Sequence, residues 1–312
     1  LSGNGVDGLS ITSSLGTTLG DFNSDGFLDI YIGGFENWPS GDYPDRLIIS
    51  RPDSSQPGGR GFQMVAETSF LRARGVTAAD FNEDGHIDIY ASNYRLQPNL
   101  LLVNNGSGTD NPFSDRAAAY NAQAGNGHSI GSAFGDLDSD GHLDILAGNF
   151  SHAGQPQSRV LLNQGPAGNY HFSDLGQRGI AWKESWSSPA LGDYDNDGML
   201  DLFFTALKYY GNDSELFRNT GNPGNPQFAE VTSGEGIPGG LDLFDVSWAD
   251  WDNDGDLDLA TNGRLFRNQL NNGNSWLKVN LRAPNVPGVN GMAIGAIVRV
   301  TSGNLTVTRH VE

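Results

Sequence analysis

Asp136-Leu137-Asp138-Ser139-Asp140-Gly141-His142-Leu143-Asp144 is an acidic stretch of nine residues that recurs four more times along the chain. The other copies begin at Asp21 (DFNSDGFLD), Asp80 (DFNEDGHID), Asp193 (DYDNDGMLD) and Asp250 (DWDNDGDLD). Their starts lie 59, 56, 57 and 57 residues apart. A motif repeated at so constant a period marks a repeat architecture.

Each copy follows D-x-[D/N]-x-D-G-x-x-D. Oxygen ligands at positions 1, 3, 5 and 9 converge if the chain curls tightly around one point. They are Asp21, Asn23, Asp25 and Asp29; Asp80, Asn82, Asp84 and Asp88; Asp136, Asp138, Asp140 and Asp144; Asp193, Asp195, Asp197 and Asp201; Asp250, Asp252, Asp254 and Asp258. Glycine at position 6 permits the sharp turn. The backbone carbonyl of position 7 (Phe27, His86, His142, Met199, Asp256) then supplies a further oxygen. An all-oxygen donor set suits Ca²⁺, which takes six to eight oxygens in flexible geometry, better than Mg²⁺. One calcium per repeat, about five in all, is the expectation. Asn23 and Asn82 leave the first two loops a carboxylate short, so these should bind more weakly. His86 and His142 are expected to turn their rings to solvent.

These loops are not EF-hands. Position 12, where an EF-hand needs a bidentate glutamate, holds Ile32, Ala91, Ala147, Phe204 and Thr261. The residues after position 9 are apolar and strand-forming: Ile30-Tyr31-Ile32, Ile89-Tyr90, Ile145-Leu146, Leu202-Phe203-Phe204 and Leu259-Ala260. The loop therefore joins two strands, and the position-9 aspartate replaces the missing glutamate.

Composition narrows the class. The formal charge of the 312 residues is −19, from 18 Lys plus Arg against 37 Asp plus Glu. The loop ligands account for 18 of those carboxylates, so the acidity is local coordination chemistry. No basic run points to nucleic acid, and no apolar stretch is long enough to insert in a membrane as a helix. Without cysteine there are no disulfides, zinc–thiolate sites or thiol nucleophiles. Weak calcium sites of extracellular modules fill only at external calcium levels, which predicts a secreted protein. With Leu1 first and no signal peptide, the chain reads as a mature or excised product.

Aligned on the acidic loop, each repeat yields four strands. A small-residue strand precedes the loop (Thr17-Thr18-Leu19-Gly20 in the first copy, Ser132-Ala133-Phe134-Gly135 in the third), and the apolar strand comes after it. A third strand reads Arg159-Val160-Leu161-Leu162 in copy three and Leu265-Phe266-Arg267-Asn268 in copy five. A fourth starts at Phe62, Phe113, Phe172 and Phe228, with Trp276-Leu277-Lys278-Val279 taking that place in the fifth copy. Four antiparallel strands with a narrow inner one make a β-propeller blade. The fold class is all-β, a propeller of five visible repeats with a short C-terminal β extension. The position-2 residues Phe22, Phe81, Leu137, Tyr194 and Trp251 should form inter-blade core.

Strand, loop and spacing together resemble the FG-GAP/VCBS repeats of integrin α-subunit propellers and of bacterial secreted proteins. The resemblance covers residues 1–272 as a propeller domain. Residues 273–312, through Asn274–Leu281 and Gly295–Val300, resemble the start of an ASPIC/UnbV module of the kind found in proteins similar to cartilage acidic protein. That family's propellers usually have seven blades. Five are visible here, so either the ring closes with five or the chain is part of a longer one. An unpaired terminal strand would leave an edge open to self-assembly.

The resemblance implies an extracellular binding, adhesion or assembly scaffold. Its partner would be a protein or surface glycan on the face opposite the calcium loops, with no nucleic acid and no membrane insertion. That face is built by loops carrying Phe35, Trp38, Tyr43, Tyr94, Phe150, His152, Tyr209, Tyr210, Trp182, Glu184 and Trp186. A lectin is the first alternative, and a propeller-type polysaccharide lyase or hydrolase the second. An enzyme is not expected: the chain has no G-x-S-x-G, no H-E-x-x-H and no cysteine. A propeller enzyme would need carboxylates, or a lysine or tyrosine base, at the central channel.

Overall fold

The computed structural model describes residues 14–37, 39, 41–56, 58–207, 213–283, 290–303 and 305–311. Five antiparallel sheets succeed one another along the chain. The first blade comprises Ser14–Gly20, Asp29–Gly34, Arg46–Pro52 and Arg60–Glu67. The second comprises Ala73–Ala79, Asp88–Asn93, Leu100–Asn104 and Phe113–Asp115, and the third Ser129–Gly135, Asp144–Asn149, Arg159–Asn163 and Phe172–Asp174. Trp186–Gly192, Asp201–Ala206, Glu215–Asn219 and Phe228–Glu230 make the fourth. Val246–Ala249, Asp258–Thr261 and Arg264–Phe266 make the fifth. The molecule is an all-β, five-bladed propeller with a short extra two-stranded sheet, Ile297–Ser302 on Leu305–His310, near the C-terminus. A small ribbon, Glu36–Asn37 on Gly41–Asp42, decorates blade one.

Inner strands pack in chain order, each on the next. No packing of that extent joins blade five to blade one among the described residues. Small residues at these strands are a steric requirement. A Cβ on Gly75 would sit 2.4 Å from the carbonyl oxygen of Ile130 on the neighbouring blade. The core lies between blades, not within one sheet. Phe22 and Phe81 are fully buried, Phe22 edge-on to Phe113 (5.4 Å) and Phe81 against Tyr120 and Phe172 (5.3 and 5.5 Å). Burying such a ring stabilises the junction by about 2–3 kcal/mol. Leu137 and Tyr194 do the same at the next two junctions.

Two expectations fail at the fifth copy. Trp251 is not core: it is 52% exposed, because no blade packs over it among the described residues. Trp276–Val279 forms no strand, and blade five has three. The segment instead crosses the acidic loop of its own blade. Trp276 lies against Gly255, and Lys278 Nζ donates to Asn253 Oδ1 at 2.7 Å and meets Asp250 Oδ2 at 3.4 Å. With Trp276 laid on the loop glycine and the Lys278 ammonium held at Asn253 and Asp250, the segment runs over the loop and not along Arg264–Phe266.

The C-terminal hairpin docks on the side that carries the acidic loops. Arg299 donates to the Gly141 carbonyl (2.7 Å) and pairs with Glu83 (2.8 Å), and Arg309 reaches Asp193 at 3.3 Å. The terminal strand is thus paired within the chain along one edge. Asp136, Asp144 and their counterparts are thereby set in a packed frame.

Acidic loops and the opposite face

The first four loops wind around their first aspartate, whereas Asp250 Oδ1 in the fifth is buried without a hydrogen-bond partner among the described residues. Asp136 Oδ1 and Oδ2 accept from the backbone N–H of Asp140 and Gly141, both at 3.1 Å. Asp21, Asp80 and Asp193 repeat this pair at 2.8–3.0 Å. Position-5 carboxylates accept from the position-7 N–H in all five copies, at 2.8–3.1 Å. The glycine at position 6 has φ between 87° and 98° in every copy, a conformation that costs other residues strain. Position 4 is left-handed too: Ser24, Glu83, Ser139, Asn196 and Asn253 have φ of 55–61°. Only Asn is a common choice there, so the sequence carried a partial signal.

The position-9 aspartates Asp29, Asp88, Asp144, Asp201 and Asp258 are buried. Each Oδ1 accepts the N–H at the end of the third strand (Ser50, Asn104, Asn163, Asn219, Asn268), always at 2.8 Å. In four copies Oδ2 also accepts the position-2 N–H, as Phe22 to Asp29 at 3.0 Å. This residue therefore ties loop to blade.

Three groups bring carboxylate oxygens within 4.8 Å of one another: Asp136, Asp138 and Asp144; Asp193, Asp195 and Asp197; Asp250, Asp252 and Asp254. Of the five sites expected, three are acidic clusters among the described residues able to coordinate a cation, and the two loops expected to bind more weakly are not among them. In loops one and two an amide replaces the third carboxylate: Asn23 and Asn82 donate to Asp25 and Asp84 at 3.4 and 3.0 Å. Basic side chains lie on three loops. Arg60 meets Asp25, Arg218 meets Asp195 and Asp197, and Arg267 meets Asp252 and Asp254. The third loop gathers four carboxylates with no such ion pair among the described residues.

Neighbouring loops touch by a rule the sequence did not reveal. Position 4 of one meets position 7 of the next: Ser24 with His86 Nδ1 (3.3 Å), Glu83 with His142 Nδ1 (2.6 Å), Ser139 Oγ with Met199 Sδ (3.1 Å) and Asn196 Nδ2 with Asp256 Oδ1 (2.7 Å). His86 and His142 are half-buried links, not solvent-facing rings as expected. A second device clasps the blades. The asparagine ending the third strand donates to the position-2 carbonyl of the preceding loop: Asn104 to Phe22, Asn163 to Phe81, Asn219 to Leu137 and Asn268 to Tyr194, at 2.7–2.9 Å.

Burial raises the pKa of Asp29 to about 7 and of Asp201 to about 8, and lifts Asp88 and Asp144 well above the ordinary range. Unfolded aspartate titrates near 3.9. The ion-free folded chain therefore holds protons that the unfolded chain releases, so its stability falls as pH rises from about 4 through about 8. Melting in chelator should give a higher temperature near pH 5 than near pH 8. Excess calcium should abolish that fall, because a bound cation keeps its ligands ionised. An ion-free melting temperature that climbs over this range would refute the assignment.

On the other face the loops between second and third strands, with the connection into blade three, bring aromatic residues into a row. Phe35 lies 6.2 Å from Tyr94, Tyr94 4.6 Å from His128, His128 5.5 Å from His152 and Phe150 5.6 Å from His152. The Arg74 guanidinium sits over both Phe35 and Tyr94, at 5.3 and 4.8 Å. Trp182 is 44% exposed and donates to the Ser151 carbonyl at 3.1 Å. Tyr43 is half-buried and Phe150 caps a blade end. Trp186 leaves the expected set: it is core, stacked on Phe204 at 4.5 Å. Trp38, Tyr209 and Tyr210 lie outside the described residues. A cavity beside the inner strands, lined by Thr77, Ser132, Pro189, Trp248, Arg309 and His310 among others, contains no carboxylate, lysine or tyrosine among the described residues.

Repeat, loop and sheet define a β-propeller whose blades each carry one acidic loop. The FG-GAP-like repeat family matches residues 21–91 and 80–147. The chain is related to cartilage acidic protein 1. It is 29% identical to the Mus musculus protein over 278 residues, covering 83% of this chain and 41% of that one. Against the Homo sapiens protein it is 28% identical over 277 residues, covering 83% and 40%. The chain thus spans about two fifths of the length of these curated relatives. Among solved structures, an Agrocybe aegerita lectin that recognises non-reducing terminal N-acetylglucosamine aligns with 98% of this chain and 87% of its own, at 16% identity and a TM-score of 0.39. No helix among the described residues is long and apolar enough to cross a membrane.

Proposed function

We propose that the chain is an extracellular binding scaffold in which calcium builds the fold and the opposite face meets the partner, a protein or surface glycan. Residues 1–272 form the propeller and 273–312 the appended β segment. In loops three to five the aspartates at positions 1, 3, 5 and 9, with the carbonyl of His142, Met199 or Asp256, hold the ion. Loops one and two, with Asn23 and Asn82 and the carbonyls of Phe27 and His86, bind more weakly. Loop three should be the tightest, since no guanidinium competes for its carboxylates.

The observation carrying this reading is the division of labour between the faces. The loops spend their polar groups on themselves and on each other. The aromatic row crosses three blades and ends in an exposed tryptophan, the residue type that anchors interfaces. Calcium-loaded protein should bind members of an array of extracellular proteins and surface glycans. Trp182→Ala should weaken that binding about tenfold or more, while Met292→Ala, at an exposed side chain of the C-terminal segment, should leave it unchanged. Equal loss in both variants, or no loss at Trp182, would remove the assignment of this face.

A further inference from the structure

Two of the six histidines meet away from the acidic loops. His128 stands just before the inner strand of blade three, and His152 comes after that blade's second strand. Their ring centres are 5.5 Å apart, with planes at 74°. Two imidazoles on one tetrahedral zinc, with Zn–N bonds of about 2.0–2.1 Å, would have centres roughly 5 Å apart. The pair already stands near that spacing.

Their nitrogens are differently committed. His152 Nδ1 lies 2.5 Å from Glu184 Oε1. The carboxylate accepts the Nδ1 proton and leaves Nε2 with its lone pair, as in carboxylate–histidine–metal arrangements. His128 Nδ1 is buried without a hydrogen-bond partner among the described residues. Leaving such an atom unsatisfied costs about 1–3 kcal/mol, which a ligand would recover. Burial first, then the charges of His152 and Arg95, lower the pKa of His128, so at neutral pH it is the uncharged ligand form. The His152 side chain is 42% exposed, which gives an ion a route in.

We propose that His128 and His152, with Glu184 orienting His152, form a binding site for a transition-metal ion such as Zn²⁺, solvent completing its coordination. Imidazole nitrogen favours zinc, copper and nickel, whereas the aspartate loops favour hard cations. The site is therefore chemically separate from the calcium loops and does not rest on the partner-face reading.

The test is a zinc titration of calcium-saturated chain at neutral pH, followed by calorimetry and by the histidine ring signals in NMR. One zinc per chain is expected, shifting the signals of His128 and His152. His128→Ala and His152→Ala should each weaken it about tenfold or more, and Glu184→Gln by a similar factor. His171→Ala, at an exposed ring elsewhere, should not. Melting of each variant in calcium checks its fold, and His128→Gln and His152→Gln replace any alanine variant that fails to fold. No binding at millimolar zinc, or equal binding after loss of either histidine, would overturn the proposal.

Discussion

With EGTA in place of excess calcium, the melting temperature of this chain is expected to fall by roughly 6 °C. The figure comes from mass action. A cation at about ten times its dissociation constant adds about 1.4 kcal/mol per site, so three acidic clusters add about 4 kcal/mol. A chain of 312 residues loses about 1.5 °C per kcal/mol. The structure adds a reason for the direction: Asp29, Asp144 and Asp201 are buried carboxylates whose ionised forms are disfavoured by desolvation. A divalent ion offsets that cost in the folded state alone. Native mass spectrometry of the loaded chain should count three ions held firmly and up to two more at higher calcium. A melt indifferent to EGTA would leave the loops as ordinary turns and sink the structural role of calcium.

Asn163→Ala should destabilise the calcium-loaded chain by about 3 kcal/mol, or roughly 4–5 °C. The side chain is 1% exposed and serves three groups. Nδ2 donates to the Phe81 carbonyl across the blade junction (2.9 Å) and to the Leu143 carbonyl (3.1 Å), and Oδ1 accepts the Gly165 N–H (3.0 Å). Alanine would strand two carbonyls and an N–H in a place water cannot reach, at about 1 kcal/mol or more each. Asn268→Ala removes the same bonds at a less buried junction and should cost about half as much or less. Equal and small losses in the two variants, measured by chemical denaturation, would show that the clasp is incidental.

Much of the fold was legible in the residues alone. The loop spacing gave the period, the apolar triplets after position 9 gave the second strands, and Phe113, Phe172 and Phe228 marked outer strands. The parts that stayed hidden depend on residues far apart in sequence. Glu83 and His142 meet 59 positions apart, and their counterparts at other junctions are chemically unlike them, so no pattern linked them. The clasp was within reach. Asn104, Asn163, Asn219 and Asn268 end the third strand in four copies, but a terminal asparagine reads as a turn residue until its carbonyl partner is seen. Trp276–Val279 misled because its place in the order of strands was carried over from the other copies, and its contacts with Asn253, Asp250 and Gly255 of the loop are visible only in the fold. His128 and His152 come together only because an inter-blade connection passes over a blade end.

The blade junction has a direction. At each of the four junctions the later blade gives a hydrogen bond through an asparagine, and the earlier blade receives it at its position-2 carbonyl. Such a joint is head-to-tail and cannot be made by two like faces, so it can never generate a two-fold dimer. Blade five presents the receiving side with Trp251 bare. Blade one carries Ser50 where the giving asparagine would stand, and Ser50 Oγ is already bonded to Arg60 Nε. Ser50 cannot reach across as the longer asparagine amide does, so among the described residues this clasp belongs to the four junctions between successive blades.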